Sequence, residues 1–194
     1  MTPFAAKLVY FVGYWLATFV IRAPYIRQHR REPVQSNRNN GLDRLFFGLV
    51  SCGGFLLPLI YIFSNAFAFA DYPIPLGVGL SGVVLLVVGD WLFWRSHKDL
   101  GRNWSPQLHI REQHALITRG VYGKIRHPMY AAIWLMVVAQ AMILPNYLVG
   151  FSGLIPFACL YFYRVGREER MMLDQFGGEY QAYMQRTGRL FPRL

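Results

Sequence analysis

The stretch YAAIWLMVVAQAMILPNYLVGFSGLIPFACLYFY, residues 130–163, determines the fold. It holds two uncharged apolar runs, Tyr130–Leu144 and Tyr147–Tyr163, separated by Pro145-Asn146. A helix of about 20 apolar residues crosses a bilayer core, and a Pro or Asn between apolar runs is a turn signal. The stretch therefore predicts a tight helical hairpin in a membrane, which returns the polar residues after it to the side where the polar residues before it lie.

Three earlier apolar blocks are also long enough to span a membrane: Phe4–Ile21, Leu45–Ala70 and Leu76–Trp94. With the hairpin they predict an all-α, polytopic integral membrane protein with about five transmembrane helices. The block Tyr130–Leu144 is short for a full span. Either it starts inside the headgroup region at His127, or the hairpin tip lies below the far surface.

The basic residues predict the orientation and limit the kinds of partner. Of the 20 Lys and Arg residues in this chain of net charge +10, 19 lie at 22–44, 95–126 and 164–193, and the loops 71–75 and 145–146 hold none. Positively charged loops stay cytoplasmic, so we expect the N-terminus outside, the C-terminus in the cytoplasm, and a cell inner membrane. Topology and anionic headgroups account for the charge, so we expect no nucleic-acid partner.

Cysteine and histidine usage predicts no metal site. Cys52 and Cys159 both lie in predicted spans, where cysteine behaves as a small apolar residue. The histidines show no zinc-like spacing, and no cysteine lies near them.

Two polar clusters flank the hairpin and form the candidate site. The first is RHPMY, residues 126–130, in which Pro128 suits the first turn of a helix and the helix N-terminus can receive an anionic or carbonyl group. In the second, Arg164 and Glu168 are four residues apart and share one helix face, either as part of a site or as an exposed ion pair. Glu169 points elsewhere and is the weaker candidate.

Polar residues inside the spans leave alternatives open. Gln140 either hydrogen bonds to a neighbouring helix or, with Trp134, lines a route by which a lipid enters from the bilayer. Asp90 is either functional or pairs with Arg95 or water near the interface. In the tail, Tyr180 and its neighbours have the spacing of an amphipathic helix, which lies on the membrane or caps the site.

Three motifs in the second half of the chain carry a family resemblance: LGRNWS at Leu100–Ser105, HALITRGVYGKIRHPMY at His114–Tyr130 and RVGREERMMLDQFGGEY at Arg164–Tyr180. In these motifs the chain resembles the isoprenylcysteine carboxyl methyltransferase family, which are integral-membrane enzymes dependent on S-adenosyl-L-methionine. The resemblance covers Leu100 to the C-terminus, and the five-span layout is similar to that of compact prokaryotic members.

The resemblance implies roles for particular residues. The cofactor pocket, built on the cytoplasmic side from the loop before the fourth helix and the C-terminal tail, would be lined by Gln107, His114, Ala115, Leu116, Ile117, Tyr122, Arg126, His127, Pro128, Met129 and Glu168. Arg164 would bind the acceptor carboxylate and, with Glu168, form the catalytic pair; Trp134 and Gln140 are our predicted substrate contacts. We expect one membrane domain over 1–194, with three spans and a basic loop in 1–96 and the cofactor-binding, catalytic half in 97–194.

The predicted function is methylation of a lipophilic acceptor that enters from the bilayer, by carboxyl O-methylation of an isoprenylcysteine-like substrate. The run Arg167-Glu168-Glu169-Arg170 is more basic than in many family members, so a prenylated protein is not assumed as the acceptor. Two alternatives are an NADPH-dependent membrane reductase and a non-enzymatic metal-resistance or transport protein.

Overall fold

The computed structural model describes residues 3–29, 36–37, 41–101, 109–110 and 115–193. Within them, four helical segments are long and apolar enough to cross a membrane: Phe4–Arg27, Gly41–Phe63, Leu76–Leu100 and Tyr147–Phe176. A fifth apolar helix, Pro128–Ile143, is shorter. The prediction of an all-α membrane protein is confirmed, and the fourth apolar block is the short one.

Most of the described residues lie in α-helices. The α-helices are α1 (Pro3–Trp15), α2 (Ala23–His29), α3 (Gly41–Ser51), α4 (Leu57–Phe63), α5 (Leu76–Leu100), α6 (Pro128–Ile143), α7 (Tyr147–Phe151), α8 (Leu154–Phe176) and α9 (Gly178–Arg186). Two π-helical segments, Leu16–Ile21 and Cys52–Leu56, join α1 to α2 and α3 to α4, and short 3₁₀ turns lie at Ala68–Ala70 and Gly120–Gly123. Two-residue strands, β1 (Ser36–Asn37) and β2 (His109–Ile110), pair antiparallel.

Two helices continue well beyond the apolar blocks that predicted them. α5 runs on from Trp94 to Leu100, and α8 runs on from Tyr163 to Phe176. Each helix ends at a glycine with positive φ, Gly101 at 54° and Gly177 at 51°, a conformation that glycine adopts without a steric penalty. The second apolar block ends early, at Phe63, because Ser64 is extended.

The predicted hairpin between α6 and α7 is confirmed. The Asn146 side chain caps α7 by accepting from the backbone N–H groups of Leu148 and Val149, at 3.1 and 2.9 Å. Its amide nitrogen donates to Asp71 Oδ1 at 2.7 Å, so the two loops without basic residues meet at one end of the bundle. The polar ends of α6 and α8 therefore lie together at the other end.

The helices pack through small residues, as is usual where backbones approach closely in a membrane. A Cβ on Gly89 of α5 would lie 3.2 Å from the Ala132 carbonyl oxygen of α6, and a Cβ on Gly13 of α1 would overlap Leu86 of α5. The core that these contacts enclose fixes α6 against α5, and it positions the start of α6 where the candidate site lies.

Candidate functional site

Glu168 lies at the centre of the predicted site, where the start of α6 faces α8. Its Oε1 accepts from the Tyr130 hydroxyl at 2.7 Å and from Arg164 Nη2 at 3.1 Å, and its Oε2 lies 3.7 Å from His127 Nδ1. We call these four residues the Glu168 cluster. The Glu168 side chain is 23% exposed, so it retains access to a ligand.

Arg164 does not form an exposed ion pair, because its side chain is only 4% exposed. Its Nε lies 3.9 Å from Asp43 Oδ1, and its guanidinium carbon lies 4.8 Å from the centre of the Phe47 ring. Arg167 Nη1 donates to the other Asp43 oxygen at 2.9 Å. The first helical turn of α3 thus supplies a carboxylate to two arginines of α8.

Glu169 belongs to a second and more enclosed cluster. It accepts from Arg126 Nε at 3.1 Å and from Arg189 Nε at 3.1 Å, and His127 Nε2 lies 3.3 Å away. The glutamate side chain is 5% exposed. His127 therefore lies between two carboxylates, with its Nδ1 facing Glu168 and its Nε2 facing Glu169.

The chain after α9 is joined to the start of α6. The backbone N–H groups of Arg126 and His127 donate to the carbonyls of Gly188 and Arg189, at 2.8 and 2.9 Å. The Arg126 guanidinium also donates to the Met184 carbonyl at 3.1 Å and to the Thr187 carbonyl. The guanidinium nitrogens of Arg126, which were predicted to face the cofactor, thus donate to carbonyls of the tail. A cofactor contact for Arg126 stays a prediction.

Of the two roles predicted for the tail helix, its contacts match the capping role. Tyr183 of α9 donates its hydroxyl hydrogen to the Tyr122 carbonyl at 2.6 Å. Burial raises the pKa of Tyr183 to about 12, so the hydroxyl keeps its proton at neutral pH. α9 therefore lies against the predicted cofactor segment.

The segment before α6 is anchored on α5. Asp99 Oδ2 accepts from the Val121 N–H at 2.9 Å, and Arg95 lies 3.2 Å from the Asp99 carboxylate. Gly120 has φ of 61° and approaches Asp99 so closely that a Cβ would overlap its carboxylate. This places Tyr122 in the interior.

The remaining residues predicted in this segment differ in exposure. Leu116 and Ile117 are half-buried, Ala115 is exposed, Pro128 is buried and Met129 is half-buried at the start of α6. Gln107 and His114 lie outside the described residues. The location and exposure of these residues do not test the cofactor contacts that the resemblance implies, so these contacts stay predictions.

The two predicted substrate contacts have different surroundings. Trp134 packs edge-on against Phe157 and Tyr161 with ring centres 5.1 and 5.9 Å apart. Its buried indole N–H has no hydrogen-bond partner in the described part of the chain.

Gln140 is 1% exposed and lies three turns along α6 from the Glu168 cluster. Its amide nitrogen donates to the Gly53 and Val149 carbonyls at 3.0 and 2.7 Å, and its oxygen accepts from Tyr10 at 2.9 Å. These contacts match the predicted hydrogen bond to neighbouring helices. A role for Gln140 in substrate binding stays a prediction.

Asp43 and Arg189 were not predicted as members of the site, whereas Tyr130 was included in the RHPMY cluster without a role and Glu169 was the weaker candidate. One signal was available for Asp43, since it begins an apolar block on the side predicted to be cytoplasmic, where Arg164 also lies. Tyr130 is the last residue of the RHPMY cluster, but it was also counted as the start of the apolar run. For Glu169 no local signal existed, because its partner Arg189 is 20 residues away on an irregular segment.

No group of three or more His, Cys, Asp or Glu side chains is placed to hold a metal ion in the ranges that the structure describes. The site instead places positively charged side chains next to carboxylates, as with Arg164 between Asp43 and Glu168. This arrangement suits a ligand that carries both a cation and a carboxylate.

Comparison with known proteins agrees with the resemblance in the sequence. The family model described as the isoprenylcysteine carboxyl methyltransferase (ICMT) family matches residues 82–174. A probable protein-S-isoprenylcysteine O-methyltransferase of Oryza sativa subsp. indica is 29% identical over 112 residues, which are 57% of this chain and 59% of the relative. The protein-S-isoprenylcysteine O-methyltransferase of Homo sapiens is 27% identical over 57% of this chain and 39% of its own length.

A bacterial relative has a different name. The cobalt-zinc-cadmium resistance protein CzcN of Cupriavidus metallidurans is 30% identical over 124 residues, which are 63% of this chain and 51% of the relative. The chain thus spans roughly two fifths to three fifths of the length of these curated relatives.

The fold also matches a solved structure. The eukaryotic intramembrane Ras methyltransferase ICMT superposes with a TM-score of 0.54 at 20% identity, covering 95% of this chain and 72% of that protein. At this identity the match concerns the fold, and it extends the likeness to the N-terminal helices. Residues 82–174, which hold most of the site described above, match the model of the isoprenylcysteine carboxyl methyltransferase family.

Proposed function

We propose that the protein is an S-adenosyl-L-methionine-dependent methyltransferase that methylates the carboxylate of a lipophilic, isoprenylcysteine-like acceptor. The observation that carries the proposal is the contact between Arg164 and Glu168, at 3.1 Å, at the polar end of the α6–α8 hairpin. It brings a cation suited to a carboxylate acceptor beside a partly exposed anion suited to a cationic cofactor.

The donor and acceptor groups present fit S-adenosyl-L-methionine. Glu168 would accept from the cofactor amine or its ribose hydroxyls, and the half-buried Leu116 with the ring of Tyr122 would contact the adenine. When bound, the cofactor supplies a methyl group on a sulfonium sulfur, and the C–S electron pair stays on sulfur as the acceptor oxygen bonds to the methyl carbon.

Arg164 would hold the acceptor carboxylate and orient its oxygen. Such an acceptor is already ionised and needs no general base, so the protein has to supply alignment and exclusion of water. The low exposure of Arg164 supports that role. Amine, thiol or hydroxyl acceptors would instead need a base.

The acceptor and the cofactor would reach the site from different sides. We propose that the acceptor enters laterally from the bilayer past Trp134, whose buried indole N–H is available to a polar group of the acceptor. The cofactor would enter from the cytoplasm, with the N-terminus of the chain outside and the C-terminus inside a cell inner membrane. The positive charge of the loops at the site end supports this orientation.

Calorimetry on detergent-purified protein tests the proposal. We expect micromolar binding of S-adenosyl-L-methionine, which Glu168→Ala abolishes and Arg164→Ala spares, whereas Arg164→Ala stops methyl transfer. Unchanged binding by the folded Glu168→Ala variant would refute the role of Glu168. No binding by folded wild-type protein would refute the cofactor, and NADPH would be titrated next to test a reductase.

The name of the relative from Cupriavidus metallidurans favours one other function, metal resistance or metal transport. A transport path normally places polar residues through the spans, whereas the charged clusters described here lie at one end. Metal flux into proteoliposomes, together with no cofactor binding, would favour that function.

A further inference from the structure

Arg164 is held in place by a helix that lies outside the part of the chain matched by the family model. The match covers residues 82–174, whereas Asp43 and Phe47 belong to α3, Gly41–Ser51. Both face Arg164 across the α3–α8 interface.

Asp43 is a buried carboxylate with an uncommon setting. Its side chain is 1% exposed, and it lies in the first turn of α3, where the helix dipole stabilises a negative charge. A charge buried this deeply is costly unless it is paired. Its two oxygens face two cations, with Oδ1 at 3.9 Å from Arg164 Nε and Oδ2 at 2.9 Å from Arg167 Nη1.

Phe47 restricts the same guanidinium group in a second way. It lies one helical turn after Asp43, so both side chains are on one face of α3. The centre of its ring lies 4.8 Å from the guanidinium carbon of Arg164. A guanidinium over an aromatic ring is attracted to its face, which limits the tilt of the group.

We propose that Asp43 and Phe47 are positioning residues that hold Arg164 in the orientation needed to bind the acceptor carboxylate. Asp43 faces the Nε edge of the guanidinium and Phe47 its plane, while Nη2 points to Glu168. This inference rests on the proposed function.

The two carboxylates beside Arg164 have different roles in this arrangement. Glu168 is the partly exposed one and is assigned to the cofactor, whereas Asp43 is enclosed and stays beside Arg164 when ligands bind. Without Asp43, Arg164 is drawn further towards Glu168 and away from the acceptor. The affinity for an anionic acceptor then falls.

The opposite sign of effect would identify a different role. If Asp43 only competed with the acceptor for Arg164, removing its charge would raise the affinity for an anionic acceptor. The direction of the change therefore separates positioning from competition.

The test compares two probes that differ in one charge, N-acetyl-S-farnesylcysteine and its methyl ester. Their dissociation constants are measured with S-adenosylhomocysteine present, so that no turnover occurs. We expect wild-type protein to prefer the acid. In Asp43→Asn, affinity for the acid should fall about tenfold, while affinity for the ester stays within about twofold. Phe47→Leu, which removes the ring but keeps an apolar side chain of nearly the same size, should lower acid affinity by about threefold.

Two control variants separate positioning from general damage. Asp71→Asn removes a carboxylate that is hydrogen bonded at the far end of the bundle and should leave the acid-to-ester ratio unchanged. Arg167→Gln removes the other partner of Asp43 and should change the ratio by less than Asp43→Asn does.

The outcomes distinguish the inference from the function on which it rests. If wild-type protein prefers the acid and Asp43→Asn keeps or increases that preference, the positioning role alone is overturned. The same conclusion follows if Arg167→Gln lowers the acid affinity as much as Asp43→Asn does. Absence of an acid preference in folded wild-type protein overturns the proposed function and the inference with it. If Asp43→Asn fails to fold, the test rests on Phe47→Leu. An unchanged acid-to-ester affinity ratio in that variant overturns the inference.

Discussion

The neighbouring glutamates of α8 should give opposite results when each is changed to glutamine. Glu169 and its partner Arg126 are only 5% and 9% exposed, so Glu169→Gln leaves a buried guanidinium beside a neutral amide. Breaking a buried pair in this way costs about 3 kcal/mol of unfolding free energy. The other partner, Arg189, is 50% exposed, so Arg189→Gln should cost about 1 kcal/mol or less.

Thermal unfolding in one detergent, followed by tryptophan fluorescence, measures the difference. At 2–4 °C per kcal/mol for a chain of this size, Glu169→Gln should lower the Tm by about 6–12 °C, and Arg189→Gln by about 4 °C at most. Below its Tm, Glu169→Gln should bind S-adenosyl-L-methionine within about threefold of wild type, whereas Glu168→Gln should lose more than tenfold.

Two results would refute this reasoning. Equal Tm losses for Arg189→Gln and Glu169→Gln would mean that the exposed contact to the tail, and not the buried pair with Arg126, accounts for the stability. Loss of cofactor binding in folded Glu169→Gln would mean that this carboxylate also contacts the cofactor.

Three further changes have expected outcomes. Gly53→Ala places a methyl group so close to the Ser152 carbonyl that the two overlap. Because the clash is with backbone, which cannot move aside easily, the change should cost about 1–3 kcal/mol of unfolding free energy. Its Tm is compared with that of Gly48→Ala, whose added methyl group meets nothing within 4 Å. Gln140→Leu removes the amide donor of the Gly53 and Val149 carbonyls, which then share the Ser152 hydroxyl, and should cost about 1–2 kcal/mol; altered acceptor kinetics at unchanged Tm would instead assign it to the acceptor route. Gly120→Ala forces a side chain into positive φ, at about 1–2 kcal/mol, and should weaken cofactor binding in calorimetry; wild-type affinity would contradict this.

The spans and the pairing of Arg164 with Glu168 could be predicted because each follows from a short-range rule. Bilayer thickness sets the length of an apolar block, and helix geometry places residues four apart on one face. The same rules do not give the ends of α5 and α8, since apolar length reports the membrane and not where the helical hydrogen bonds stop. Those ends depend on Gly101 and Gly177.

The contacts of Asp43 and Glu169 could not be predicted because they depend on which segments become neighbours. Asp43 meets Arg167 across 124 positions of sequence, and hydropathy does not say which spans pack together. Glu169 lies about 100° around the helix from Glu168. It is buried between Arg126, which precedes α6, and the segment after α9, which returns and places Arg189 over that face.

The charges around Arg164 give a physical reason for a carboxylate acceptor. Arg164 and Arg167 lie beside the carboxylates of Asp43 and Glu168 in a poorly exposed region, so charges of opposite sign are already paired there before ligands bind. A cofactor with a net charge of about +1 and a carboxylate acceptor of −1 add no net charge to it, whereas a cationic acceptor would leave an unbalanced charge away from water. Transfer of the methyl group then turns this oppositely charged pair into an ester and a thioether. The ester would lose the charge that held it against Arg164, which favours its release, whereas the thioether would lose the sulfonium charge but keep the amine and hydroxyls assigned to Glu168.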